Sequence, residues 1–109
     1  PPPGAGSRGR RGHRESRAVA FPGLDGVLPG YGRQRPNDFG LGVEIRGRKA
    51  PHWTGSGNSP ATFGHFGQSG SFIWVDPVAG RQAVFLGAEP FGRAHAAAWP
   101  ALNDQILAL

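Results

Sequence analysis

Glycine and proline recur along this chain at a density that favours loops over long regular elements. Nineteen glycines and eleven prolines occur in 109 residues, a composition typical of loop-rich or low-complexity segments. The glycines follow no triplet repeat, which excludes a collagen helix. The length and the 38% hydrophobic content suit one small domain with a modest core, but we do not expect the whole length to fold.

Positive charge is concentrated in the first half of the sequence. Residues 1–49 carry ten Lys or Arg against four acidic residues, whereas residues 50–109 carry two against three. Residues 1–20 combine five arginines with small residues and proline and contain no aromatic residue, so they cannot bury enough apolar surface to offset their chain entropy. We expect a disordered basic leader, with a phosphate-binding arm as the alternative. Nucleic acid is the less favoured partner, because no aromatic side chain is interleaved with the arginines to stack on bases.

Cysteine is absent, which excludes disulfides, thiolate catalysis and cysteine-ligated metal. No apolar run approaches the roughly 20 residues that cross a bilayer, and the first residues do not resemble a secretory signal. The sequence therefore predicts no transmembrane segment and leaves the localisation open, with the cytoplasm as the default. No cofactor is indicated.

Regular patterning begins late in the sequence. Residues 21–37 are interrupted by repeated proline-containing turns, so we interpret residues 1–37 as disordered chain and linker and residues 38–109 as the folded part. From Phe39 to Arg46 apolar residues alternate with Gly, Glu and Arg. This alternation predicts a half-buried strand.

The second half of the chain predicts a hairpin and a helix. The apolar runs at 71–75 and 82–87 flank an Asp-Pro turn, which is typical of an antiparallel hairpin. In the last segment one helical face carries residues spaced by three or four: Trp99, Leu102, Ile106 and Leu109. Pro100 predicts a break near Trp99, with the helix proper beginning at the proline. The expected fold is an α/β domain of the α+β kind, with at least three antiparallel strands covered by a C-terminal helix.

Glycines surround His65. Residues 62–77 read Thr-Phe-Gly-His-Phe-Gly-Gln-Ser-Gly-Ser-Phe-Ile-Trp-Val-Asp-Pro. On the histidine alone, a core residue with satisfied nitrogens is the default interpretation. Gly64, Gly67 and Gly70 favour a ligand-binding role, because glycines on a strand often mark the close approach of a ligand. Such a histidine contacts a substrate carboxylate or carbonyl, or tunes a neighbouring acid or base.

The segment from Phe39 to Leu109 resembles part of the serine β-lactamase and penicillin-binding-protein superfamily. Its features occur in family order: an aromatic-Gly-Leu-Gly segment, a loop, His-x-Gly, a Gly- and Ser-rich edge, Val-Asp-Pro, a strand and a helix. The resemblance implies that His65 and Gly67 occupy the first and third positions of the third motif. It also implies that the backbone N–H of Gln68 donates to the oxyanion during acyl transfer.

Two further residues are candidate substrate contacts. Trp53 stands in a Gly- and Ser-rich loop before the motif, where it is expected to line a substrate cleft. Ser69 follows the motif directly. The remaining tryptophans, Trp74 and Trp99, are interpreted as core residues.

Two motifs of the superfamily are missing. The Ser-x-x-Lys motif is absent, because Arg46 and not a serine stands three residues before Lys49, the only lysine. The Tyr-x-Asn or Tyr-x-Ser motif is also absent, because the single tyrosine, Tyr31, does not begin one. Both motifs lie upstream in the family, so the resemblance implies the C-terminal part of a longer serine hydrolase that acts on a β-lactam, a peptide or an ester. We expect the chain alone to be inactive, and to associate with an upstream fragment or with itself through exposed sheet edges.

Other functions carry weaker signals. The four histidines show no i, i+4 pair and no His-Glu-x-x-His run, so no metal site is expected. A Ser-His-Asp group from Ser69 or Ser71 with His65 and Asp76 is formally possible, but an Asp before Pro favours capping of a turn. A basic module that binds nucleic acid or an anionic surface, and a non-catalytic pseudoenzyme or partner subunit, stand as alternatives.

Overall fold

A computed structural model describes residues 17–109. Two antiparallel sheets and a helix follow along the chain. The first sheet contains β1 (Gly26–Leu28) and β2 (Gly32–Gln34). The second contains, in spatial order, β3 (Glu44–Ile45), β4 (Phe63–Phe66), β5 (Phe72–Asp76) and β6 (Arg81–Phe85), and it is followed by helix α1 (Arg93–Leu107). The predicted α+β class is confirmed. Most of the basic leader expected at residues 1–20 lies outside the described residues.

The predicted hairpin forms as β5 and β6. Asp76 ends β5, and its Oδ1 accepts hydrogen bonds from the N–H groups of Val78 and Ala79 at 3.0 and 3.1 Å. The turn closes where Gly80 N–H donates to the Asp76 carbonyl at 2.9 Å, with Gly80 at a φ of +67°. The capping role expected for Asp76 is confirmed, because the Asp-Pro-x-x-Gly sequence supplies the bonds of its own turn.

The strand predicted from Phe39 to Arg46 is wrong in extent. Only Glu44–Ile45 forms a strand, and Phe39 pairs back onto Glu44 across a tight turn. Gly42 adopts a φ of +97° within this turn, a conformation that glycine reaches without steric cost. The alternation of apolar residues is therefore interrupted, and the side chain of Leu41 is 61% exposed.

The segment expected to be a linker contains a hairpin. Leu28-Pro29-Gly30-Tyr31 forms a turn between β1 and β2, closed by Tyr31 N–H donating to the Leu28 carbonyl at 2.9 Å. Gly30 has a φ of +79°, which fits a type II turn with proline at its second position and glycine at its third. Leu28 and Tyr31 are 3% and 7% exposed and belong to the core, so the folded part begins before residue 38.

Helix α1 begins at Arg93 and continues through Pro100, so the predicted start at the proline is wrong. His95 supports the earlier start, because its Nδ1 accepts the N–H of Gly92 at 3.0 Å. An internal proline removes one backbone hydrogen bond and costs about 3 kcal/mol. The helix persists because its apolar face is buried against the sheet, with Trp99 2% exposed.

Helix α1 covers one face of the four-stranded sheet. Trp99 meets the Phe72 ring edge-on, with centroids 5.0 Å apart. Asn103 accepts the indole N–H of Trp74 at 2.9 Å and donates to the carbonyl of Trp53 at 2.9 Å. The helix thereby joins the sheet to the loop between β3 and β4. Trp74 and Trp99 are core residues, as predicted. No helix in the described part of the chain is long and apolar enough to cross a bilayer.

Candidate functional site

A cleft opens beside the end of β4. It has a volume of about 310 Å³ and is lined by Leu28, Pro29, Phe39, Glu44, His65, Phe66, Gly67 and Gln68. Strand β3 pairs with β4 only at Phe63 and Gly64, because the turn at Gly42 takes the chain away before it reaches the next residue of β4. The shortness of β3 therefore leaves this cleft beside β4, and three predicted site residues line it together.

His65 is exposed at the cleft. The structure records no hydrogen bond to either of its ring nitrogens within residues 17–109, whereas the other described histidines are engaged: His52 by Glu44 and Thr54, and His95 by the helix N-terminus. His65 is therefore not a core histidine with satisfied nitrogens. Its imidazole is available to an external group.

Gly67 is a glycine that the fold does not require. A Cβ at this position would find Ser69 Oγ at 3.9 Å as its nearest neighbour, and Gly67 is not among the glycines with positive φ. Gly64 differs, because a Cβ there would collide with the carbonyl oxygen of Ile73 on the neighbouring strand. The space beside Gly67 is therefore part of the cleft. Gly64 is a glycine because the neighbouring strand packs too closely for a side chain there.

Gln68 presents a free backbone donor. It is the second residue of a turn closed by Gly70 N–H donating to the Gly67 carbonyl at 3.1 Å, and this turn bond does not use the Gln68 N–H. Its carbonyl accepts the N–H of Phe91 at 2.9 Å, which holds the peptide in place. Within the described chain no acceptor pairs with the Gln68 N–H. A fixed, unpaired N–H is what an oxyanion donor requires.

The two expected substrate contacts lie elsewhere. Trp53 is 1% exposed in the core and does not line the cleft. It lies behind the cleft wall, where its indole N–H donates to Glu44 Oε1 at 2.7 Å and its ring packs against Phe66. Ser69 is exposed in the turn after the motif and does not line the cavity.

Glu44 is a buried acid in the cleft wall that sequence reasoning did not find. Its Oε2 accepts hydrogen bonds from Lys49 Nζ at 2.8 Å and from His52 Nε2 at 2.7 Å, in addition to the Trp53 bond on Oε1. Glu44 is 3% exposed and Lys49 4%. The alternating pattern had placed Glu44 on the polar side of a strand, and no motif spacing connects these residues.

Hydrogen bonds fix the protonation states of this network. Thr54 N–H donates to His52 Nδ1 at 3.2 Å, so Nδ1 is an acceptor and the proton resides on Nε2, which faces Glu44. Burial lowers the pKa of His52 and keeps the ring neutral, with Glu44 opposing the shift. Burial by itself raises the pKa of Glu44, but the bonds and charges of His52 and Lys49 outweigh it and lower the pKa. Glu44 and Lys49 form the ion pair.

The other polar groups of the motif region have structural partners. Asp76 accepts Ser59 Oγ–H at 2.6 Å and Ser59 N–H at 2.7 Å, and Ser71 Oγ accepts the N–H of Gly87 at 3.0 Å. Neither residue bonds to His65, so the structure does not assemble the Ser-His-Asp group. Among residues 17–109 no cluster of three or more His, Asp or Glu is suited to hold a metal ion.

The fold is β-lactamase-like. A crystal structure of a beta-lactamase (Mb2281c) from Mycobacterium bovis is 61% identical to this chain, covers 90% of it and superposes with a TM-score of 0.87. The chain is therefore similar to part of a β-lactamase, which confirms the resemblance seen in the sequence. It spans 36% of the M. bovis β-lactamase chain. No protein-family model matches the sequence, and no curated protein does.

Proposed function

We propose that this chain supplies one wall of the active site of a serine hydrolase that transfers an acyl group from an amide or ester. The convergence of three features on one cleft carries the proposal: the unengaged ring of His65, the open space at Gly67 and the unpaired N–H of Gln68. Each is left open by the fold. His65 and Gly67 match the first and third positions of the third motif, and Gln68 follows it directly.

In the proposed reaction a serine hydroxyl adds to the substrate carbonyl carbon, and the carbonyl oxygen becomes an oxyanion. The Gln68 N–H donates to that oxygen, a contact worth roughly 3 kcal/mol of transition-state stabilisation in other oxyanion holes. His65 binds a carboxylate or carbonyl of the substrate beside the reacting bond. Collapse of the intermediate expels the amine or alcohol, which takes up the proton lost by the serine hydroxyl, and leaves an acyl-serine that water then hydrolyses.

The serine is supplied from outside this sequence, because no Ser-x-x-Lys or Tyr-x-Asn motif occurs in it. We therefore expect no turnover by the chain alone. The test incubates the purified chain with nitrocefin and with p-nitrophenyl acetate, using His65→Ala as the control. Product release above that control would contradict the proposal that the nucleophile is absent.

Binding in the cleft can be measured without turnover. Titration of the ¹⁵N-labelled chain with benzylpenicillin is expected to shift the Gln68 amide and the His65 ring signals while leaving the His95 ring signals unchanged. Gly67→Ala fills space in the cleft without touching the fold, so it is expected to weaken these shifts. Shifts confined to residues outside the cleft would count against an acyl-substrate site.

A second candidate function is binding of anions. A separate cavity of about 310 Å³ is lined by Arg33, Arg35 and Arg48 together with Asp38, and Asp25 pairs with Arg33 and Arg35 at 3.6 Å. Exposed guanidinium groups bind phosphates with an affinity that falls as salt rises. Salt-sensitive binding to an oligonucleotide, lost on deletion of residues 1–20 or on Arg48→Ala, would favour this function over acyl transfer.

A further inference from the structure

A small cavity is separated from the cleft by the Glu44–Lys49 ion pair. Its volume is about 180 Å³, and it is lined by Arg46, Lys49, Ala50, Pro51, His52, Thr54, Ser56 and Pro100. Glu44 lines the cleft but not this cavity, whereas Lys49 lines this cavity but not the cleft. Pockets for drug-sized ligands begin at about 300 Å³, so this cavity suits a smaller ligand.

Arg46 supplies the cavity with a positive charge that has no acid in contact. Arg46 is half-buried, and its guanidinium donates from Nε to Thr54 Oγ1 and from Nη1 to the Gly47 carbonyl, each at 3.0 Å. Within residues 17–109 no acceptor pairs with Nη2 and no carboxylate oxygen lies within 4.0 Å of the group. Asp76 and Asp104 act on it only from beyond that distance. Charges withdrawn from water are normally paired, so Arg46 is available to bind an anion.

Lys49 brings a second cation to the same cavity. Its N–H donates to the Arg46 carbonyl at 3.3 Å, so the two residues are the first and fourth of one turn, with Cα atoms less than about 7 Å apart. Lys49 is 4% exposed, and its ammonium has three N–H donors. Glu44 and the Asp38 carbonyl accept two of them. The third has no acceptor in the described part of the chain.

The remaining wall of the cavity is largely apolar. Ala50 and Pro51 follow Lys49 in the loop, and Pro100 comes from helix α1. A proline presents ring carbons and no backbone N–H. A ligand that fills the cavity therefore meets cations on one side and hydrocarbon on the other.

We propose that this cavity binds a short aliphatic carboxylate. The carboxylate accepts hydrogen bonds from Arg46 Nη2 and Lys49 Nζ, and its hydrocarbon chain lies against Pro51 and Pro100. A phosphate is polar on every side, so the apolar wall leaves part of it without partners. The acid released when an acyl-serine is hydrolysed belongs to this ligand class. That link to the reaction rests on the proposed function, whereas the binding itself does not.

The test titrates the ¹⁵N-labelled chain with sodium butyrate at constant ionic strength and follows the amide signals of Thr54 and Ser56. Saturable shifts are expected. Acetate is expected to bind at least about fourfold more weakly, because it buries fewer methylene groups, and butan-1-ol, which carries no charge, is expected to cause no shift. Tighter binding of inorganic phosphate than of butyrate, or equal shifts with butan-1-ol, overturns the proposal.

Two variants locate the binding. Arg46→Gln is expected to weaken butyrate binding at least about tenfold, because a charged donor is lost; Arg81→Gln is its matched control, since Arg81 is exposed and does not line the cavity. Ala50→Phe fills the cavity from an exposed position and is expected to abolish binding, with the exposed Ala61→Phe outside the cavity as control. Ala50→Phe decides the matter if Arg46→Gln does not fold. Unchanged butyrate binding in Ala50→Phe overturns the site.

Benzylpenicillin in the cleft provides a separate readout. A Gln68 shift with benzylpenicillin but no Thr54 shift with butyrate contradicts the carboxylate site and leaves the proposed function standing. A Thr54 shift with butyrate but no Gln68 shift with benzylpenicillin supports the carboxylate site and contradicts the proposed function.

Discussion

Lys49 and Glu44 form an ion pair inside the protein, with Nζ and Oε2 2.8 Å apart and side-chain exposures of 2% and 3%. The ammonium also donates to the Asp38 carbonyl at 2.9 Å. A buried pair contributes little net stability compared with an apolar pair of the same shape, but the loss of one partner leaves an uncompensated charge. The pair therefore makes this wall of the cleft sensitive to single substitutions.

Replacement of Lys49 by methionine is expected to lower the free energy of unfolding by roughly 3 to 5 kcal/mol. The Glu44 carboxylate stays buried and loses the cation that balances it. Urea denaturation measures the change. Arg48→Met is the matched control, because Arg48 is exposed and its loss is expected to stay within about 0.5 kcal/mol. Equal effects of the two substitutions would mean that the pair is open to solvent.

The stability of the protein is expected to fall as the pH drops through the range in which histidine titrates. Burial holds the pKa of His52 below its usual value of 6.5, so the unfolded chain takes up a proton before the folded one does. The contribution of His52 is complete above the unfolded pKa and is lost as the pH falls towards the folded pKa. Unfolding free energies from about pH 8 to about pH 5 measure the slope.

His52→Gln provides the control for this slope, since it removes the titrating ring. The pH dependence of the variant is expected to be shallower than that of the native protein. A native stability that rises as the pH falls would show instead that Glu44 holds His52 as an imidazolium.

Asn103→Leu is expected to cost about 2 to 4 kcal/mol, because two buried groups lose their partners at once. The indole N–H of Trp74 and the carbonyl of Trp53 both bond to the Asn103 amide, and leucine is similar in size but cannot bond. Thermal unfolding measures the loss, with Gln105→Leu on the exposed side of α1 as the control. A small effect at position 103 would indicate that water replaces the amide.

Gly64 and Gly67 are expected to respond in opposite ways to alanine. Gly64→Ala drives a methyl group into the Ile73 carbonyl and the Trp74 backbone, so a loss of about 3 kcal/mol or more in stability is expected. Gly67→Ala meets no such obstacle and is expected to change stability by at most about 0.5 kcal/mol. Circular dichroism melting curves of the two variants provide the comparison. Equal losses would place the Gly67 position in the packed core.

The sequence predicted the presence of turns and motifs better than it predicted the lengths of the strands. The β5–β6 hairpin could be predicted because Asp76 and Gly80 carry their own turn bonds. The cleft region could be located because Gly67 and Gln68 follow His65 in a recognisable motif. The length of β3 could not be predicted, since the turn at Gly42 competes with an apolar alternation that suits a strand equally well.

The buried network around Glu44 lay beyond sequence reasoning for a different reason. Its members, Glu44, Lys49, His52 and Trp53, are brought together by a loop that folds back on the sheet. The loop takes its position from contacts distant in the chain, such as Asp104 Oδ1 accepting the N–H of Gly57 at 2.8 Å. The periodicity of apolar residues along the sequence does not indicate contacts between distant residues. The persistence of α1 through Pro100 likewise depends on tertiary packing that outweighs an unfavourable local residue.

The bond between Asn103 and the Trp53 carbonyl has a consequence for the order in which the molecule is completed. Trp53 bonds to Glu44 in the cleft wall, so the wall is secured by a residue that follows every cleft-lining residue in the chain. During synthesis the cleft-lining residues are made before α1. The Asn103 bond can form only once α1 has been made, so a residue synthesised after the cleft helps to fix the geometry of the cleft wall.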